Sequence, residues 1–79
     1  MTGRLLQILA KVFDLKIENI TLDLQQANVN KWDSLTHMDL INSLENEFHI
    51  TLSMEDIVEM TSVGNIISIL KNHGIDAHA

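Results

Sequence analysis

Lys31-Trp32-Asp33-Ser34-Leu35-Thr36-His37-Met38-Asp39-Leu40 holds the turning point of this chain, where an irregular polar segment gives way to an amphipathic helix. Asp33 has the chemistry of an N-cap. Its carboxylate can accept backbone N–H bonds from the next turn, which leaves Ser34 in the first helical positions with its side chain pointing outward. A phosphate ester on that hydroxyl would lie near the unpaired N–H groups and partial positive charge of a helix N-terminus, an environment that favours anions. The site suits a phosphorylated prosthetic group. In a chain without cysteine, any thiol must come from such a group.

Downstream, helix two is expected from about Ser34 to Phe48. At about 100° per residue, Leu40, Ile41, Leu44 and Phe48 define its buried face. Leu35 and Met38 lie away from that face, among Asp39, Asn42, Glu45 and Asn46. An apolar pair beside Ser34, rimmed by acids, resembles a small docking patch; the competing reading is a packing contact with the preceding loop. Upstream, Leu5, Leu6, Ile8, Leu9, Val12 and Phe13 share one face of helix one, with Thr2 as its cap. Between Leu15 and Asp33 the period is lost, and the Asn, Asp and Gln content reads as a long irregular connection. Ile17, Ile20, Leu22, Leu24 and Val29 are expected to pin it over the core. Trp32 is expected at the core edge, fixing the end of the loop beside Ser34.

After Ile50-Thr51-Leu52, the run Ser53-Met54-Glu55-Asp56 has the form of a capping box and opens a short helix whose apolar surface is Ile57, Val58 and Met60. Thr61 or Ser62 then caps a last helix striped by Val63, Ile66, Ile67 and Leu70. Gly74 is its expected stop, and Ile75 to Ala79 a fraying tail. The sum is an all-α fold: a small four-helix bundle of three main helices and one short one, with a long loop between helices one and two. It forms a single domain over residues 1–79.

With 46% hydrophobic but only 4% aromatic residues, the core must come from Leu, Ile, Val and Met. Five Lys plus Arg against eleven Asp plus Glu give a formal charge of −6, which disfavours a nucleic-acid partner and favours basic proteins. The absence of cysteine excludes a disulfide framework and fits a reducing compartment. The N-terminal segment is too short and interrupted for a signal peptide, and no apolar run approaches membrane-spanning length. A soluble, cytoplasmic monomer without membrane insertion is expected.

Ser34, His37 and Asp39 invite a hydrolase triad. Asp39 lies two residues beyond His37, about 200° around the helix, and cannot orient that imidazole. His37 instead falls beside Leu40 and Leu44, as a partly buried histidine with one hydrogen-bond partner. His49, His73 and His78 lack the spacing of a metal site, and the acids do not match a calcium loop. No catalytic or metal-binding residue is expected. Asp39, Glu45, Glu55, Asp56 and Glu59 could form one acidic surface around Ser34, or serve solubility alone.

Asp33-Ser34-Leu35 resembles the motif of the acyl carrier proteins, small helical proteins that carry a 4′-phosphopantetheine arm on its serine. The surrounding pattern is similar over most of the chain: Leu44-Glu45 and Glu47-Phe48 near the end of helix two, Ile50-x-Leu52, an acidic short helix, and Thr61-Ser62-Val63 starting the last. The resemblance implies that Ser34 is modified by a phosphopantetheinyl transferase using coenzyme A and magnesium, with Asp33 assisting at that enzyme's metal site. It implies that Leu35, Asp39 and Glu45 meet the basic docking patches of acyl-transferring or condensing enzymes, to which the residue pattern adds Met38, Glu55 and Asp56. Such a carrier catalyses nothing. It holds acyl groups as thioesters for a lipid, fatty-acid or polyketide pathway, and family members can tuck the cargo between the helices. Trp32, Asn42 and Asn46 depart from the family's habit and, with Thr36 and His37, suggest a specialised carrier. The Gly-Gly-x-Ser signature of peptidyl carriers is missing, which lowers the amino-acyl alternative. An unmodified acidic adaptor of the same fold is the rival from another class.

Eleven acids on a small surface repel one another in the compact state, so salt should stabilise it. The melting temperature is expected to rise from low to physiological ionic strength, measured by circular dichroism. No change, or a fall, counts against clustered acids.

Overall fold

The computed structural model describes residues 2–77; the histidine at 78 and the last position of the expected tail lie outside the described residues. Four helices follow in order: α1 (Gly3–Phe13), α2 (Ser34–Phe48), α3 (Met54–Glu59) and α4 (Val63–Asn72). Each begins at a side-chain cap that the sequence supplies. The Thr2 hydroxyl accepts from Leu5 N–H, Asp33 from Thr36 N–H, Ser53 from Asp56 N–H and Ser62 from Asn65 N–H. Of the two candidates for the last cap, Ser62 is used. In α3 the Asp56 carboxylate also accepts from the Ser53 N–H, so an aspartate closes this capping box. α1 and α2 end in left-handed residues, Asp14 and His49, each at φ 55°, and Gly74 turns the chain after α4 at φ 84°.

One apolar cluster joins all four helices. Leu5, Leu9 and Phe13 of α1 meet Leu40, Ile41 and Leu44 of α2 and Val63, Ile66, Ile67, Ile69 and Leu70 of α4, and Met60 closes the cluster from the end of α3. Leu6, Ile8, Val12 and Phe48 are only partly buried and frame it. Thr36, whose polarity hid it from the helical wheel, is buried as well.

The connection between α1 and α2 is ordered by backbone pairing rather than by side chains alone. Two 3₁₀ turns, Ile17–Asn19 and Gln26–Asn28, punctuate it. Its second half lies antiparallel to the start of α4: Gln26 N–H donates to Thr61 O, Val63 N–H to Leu24 O and Gly64 N–H to Leu22 O, with a bridge between Gln25 and Ser62. A Cβ on residue 64 would sit 3.3 Å from the Leu22 carbonyl oxygen, so glycine permits this approach. Ile20 and Val29 are buried and Leu24 partly so, as expected of anchors. Ile17 and Leu22 are not anchors: their side chains are about half exposed, at 48% and 53%. At Leu22 it is the carbonyl that is held, and the side chain faces out.

The expected fraying of the tail is corrected as far as residue 77. Ile75 N–H returns to Leu70 O, Ala77 is fully buried, and its carbonyl accepts from Thr2 N–H at 3.0 Å. The tail thus closes over the start of α1. Because Leu44 lies at the centre of the α1–α2–α4 contact with no exposure, Leu44→Ala is expected to cost about 2–5 kcal/mol in chemical denaturation. A negligible loss would place the core on another face of α2.

Candidate functional site

Trp32 sets the position of the serine. Its indole is 3% exposed and packs against Phe13 of α1, with ring centroids 4.3 Å apart. Trp32 N–H donates to Val29 O, and Gln26 Nε2 donates to Trp32 O at 3.2 Å, so the end of the connection is held on both sides of the peptide. The next residue, Asp33, is extended and caps α2: its Oδ1 accepts from Thr36 N–H at 2.9 Å and its carbonyl from His37 N–H at 2.8 Å. Ser34 is then the first residue of a 15-residue helix, with an exposed side chain. The Thr36 amide bond, joined by the Thr36 hydroxyl, holds the Asp33 carboxyl below its ordinary value of 3.8.

His37 lies one helical turn after Ser34, and both of its ring nitrogens are engaged. Nδ1 accepts from Trp32 Nε1–H at 2.9 Å, and Nε2 is 2.7 Å from the carbonyl oxygen of Ile57 in α3. With Nδ1 accepting, the proton belongs on Nε2, and one neutral tautomer satisfies both contacts. The sequence-based expectation of a partly buried histidine holds, with two partners rather than one. With neither nitrogen free, the ring is not available as a base for Ser34.

Beside the serine is an open groove of about 300 Å³ lined by Gln26, Ser34, His37, Met38, Ile57 and Val58. Leu35 is 81% exposed and Met38 48%, as the wheel of α2 requires. On α3, Met54 and Val58 are exposed too, at 75% and 67%. Their exposure was missed from the sequence; the signal was the brevity of α3, which can bury one face only. A broken apolar rim of four side chains on two helices results.

The acids divide into two groups. Asp39, Glu55 and Glu59 are exposed. Glu45 and Asp56, expected at a partner surface, also have duties within the fold. Glu45 Oε2 accepts from Leu52 N–H at 2.8 Å and fastens the crossing to α3, while Asp56 Oδ2 lies 2.8 Å from His73 Nε2 of α4 and 3.1 Å from Ser53 N. The His73 contact, then the Ser53 amide, pull the Asp56 carboxyl below its ordinary value. A local capping motif can be read from sequence; a bond from α3 to the end of α4 cannot. Among the described residues no group of three or more histidine or acidic side chains could hold a metal ion.

The residues around Ser34 fit a covalently attached phosphate group: an exposed hydroxyl, the N-terminus of a long helix, and a groove open to one side. Comparison with known proteins gives the family of the chain. Residues 3–70 match the model of the phosphopantetheine attachment site family. An acyl carrier protein of Rickettsia bellii is 27% identical over 70 residues, spanning 89% of this chain and 86% of the relative. The solution structure of a holo acyl carrier protein from Geobacter metallireducens superposes with a TM-score of 0.77 at 27% identity, covering 95% of this chain and 90% of that one. The chain belongs to the phosphopantetheine attachment family, as an acyl-carrier-like protein. It is a carrier of covalently attached 4′-phosphopantetheine and not an enzyme.

The lowered Asp33 carboxyl has a signed consequence. The unfolded chain binds the proton more readily, so the stabilisation is complete above 3.8 and is lost as pH falls through the lower folded value. Asp33→Asn keeps a capping oxygen but cannot titrate. Its stability is expected to fall less steeply than that of the wild type between about pH 5 and pH 2, measured by urea unfolding. Parallel profiles would show that the carboxylate charge contributes nothing to the cap.

Proposed function

We propose that Ser34 carries the 4′-phosphopantetheine arm and that this one-domain protein holds acyl groups as thioesters and hands them to enzymes of a lipid, fatty-acid or polyketide pathway. The observation that supports it most is the exposed Ser34 side chain at the first position of α2, preceded by an aspartate already committed as the cap. When bound, the group supplies a flexible arm ending in a thiol, which this chain lacks. The chain's own part is to present and to steer. Amide groups of the first turn of α2 favour the phosphate. Asp33, although it accepts from Thr36 through Oδ1, has a second carboxylate oxygen to offer the magnesium site of a phosphopantetheinyl transferase during transfer from coenzyme A.

Leu35, Met38, Asp39 and Glu55, all exposed, form the surface we assign to the basic patches of acyl-transferring and condensing enzymes. Glu45 and Asp56 add to its negative field from more sheltered positions, their contacts being partly taken by Leu52, Ser53 and His73. Among the described residues no helix is long and apolar enough to cross a membrane. A cytoplasmic monomer is the setting we propose, supported by the lack of cysteine.

Incubation with coenzyme A, magnesium and a promiscuous transferase is expected to add the mass of one phosphopantetheinyl group to the wild type and none to Ser34→Ala. Intact mass spectrometry decides this. A Ser34→Ala chain that still gains the arm places the attachment elsewhere, and an unmodified wild type favours the acidic adaptor.

A further inference from the structure

The groove beside Ser34 is walled by α2 on one side and α3 on the other, and none of the fully buried side chains of the core contributes to its lining. Between the two helices stands the imidazole of His37. It lies one turn before Leu40 and Ile41, at the Ser34 end of the stripe that α2 sends into the core. Its Nε2–H is bonded to the Ile57 carbonyl of α3 and its Nδ1 to the indole of Trp32. The indole cannot easily follow a rotation of the ring, because it is buried against Phe13.

We infer that His37 bolts α3 to α2 and keeps the cargo of the Ser34 arm on the surface of the protein, suiting this carrier to acyl groups of a few carbons. The inference rests on the assignment of the arm to Ser34. An acyl chain passing between α2 and α3 must part His37 from Ile57, leaving the imidazole N–H without a partner beside apolar side chains and the Ile57 carbonyl with only the long 3.4 Å bond from Met60 N–H. Turning the ring aside to make room breaks the bond from Trp32 as well. A short acyl group escapes both losses: Met38, Ile57 and Val58 offer it an apolar contact within the groove, and Gln26 and His37 leave one end polar. A long one finds no more apolar wall there, and its remaining methylenes stay in water. His37 acts here as a positioning residue, through the placement of α3.

The test loads wild type, His37→Ala and His37→Gln from butyryl- and octanoyl-coenzyme A, with peptide mapping of the acylated arm, methyl NMR and melting temperature as readouts. In the wild type, both cargoes are expected to shift methyl signals of Met38, Ile57 and Val58 and to leave Leu40, Leu44, Met60 and Ile66 unmoved, with equal melting temperatures. In His37→Ala, octanoyl is expected to shift the interior methyls and to raise the melting temperature above that of the butyryl form. His37→Gln is expected to restore wild-type behaviour, since its carboxamide can accept from Trp32 and donate to Ile57. A merely structural histidine would change the melting temperature equally for both cargoes. Interior shifts in the octanoyl wild type overturn the inference whether or not either variant folds, and so does an octanoyl His37→Ala with a silent interior. An arm mapped to another residue overturns the Ser34 assignment as well, whereas a correctly placed arm with interior shifts overturns the bolt alone.

Discussion

Burial of the Trp32 indole is the constraint on which the rest of this structure depends. The ring packs on Phe13 and so ties the end of a long connection to α1, while its N–H reaches His37 and through that imidazole the backbone of α3. A buried indole N–H needs an acceptor, and a neutral histidine needs a donor on one nitrogen and an acceptor on the other. The two requirements answer each other. Residue 33 lies exposed beside the buried indole, and the helix that Asp33 caps starts with its serine outside.

Acidic residues on this surface are not equivalent. Asp33 and Asp56 each stabilise a helix start, and both carboxyls are held below their ordinary value by the amides and side chains they accept from. Glu45 fixes the crossing into α3. These groups are constrained in position, and a constrained charge gives a partner a defined field at little further entropic cost. Asp39 and Glu55 sit in solvent, where water and salt weaken their attraction for a distant partner. On the docking surface proposed above, the carboxylates that would meet a partner thus include two, Glu45 and Asp56, that also hold the fold together.

Much of the fold was legible because its signals are local. Ser53 with Asp56, Asp33 before an apolar period, and Gly74 after one all act within a turn of the chain, and the structure uses each as read. The same holds for the exposed Leu35 and Met38, which follow from helical geometry alone. What escaped was non-local. Nothing in the residues around Leu22 says that its carbonyl will meet Gly64, so its side chain passed for an anchor; nothing near His73 announces Asp56, or near Thr2 the carbonyl of Ala77. Polarity misled at Thr36, which is buried although the wheel of α2 was drawn from apolar residues. The candidate serine was visible, whereas the clasp beside it was seen only as a histidine in need of a partner.

The ladder joining residues 22–26 to residues 61–64 also orders events during synthesis. The amide of Gln26 and the carbonyls of Leu22 and Leu24 wait for partners encoded far downstream, so on the ribosome α1 and α2 emerge before the segment between them can settle. Non-local pairing of this kind completes late. An enzyme that recognised the settled connection beside Ser34 would meet it only once the final helix had cleared the exit tunnel, and nascent chains cut short before that point would escape its attention.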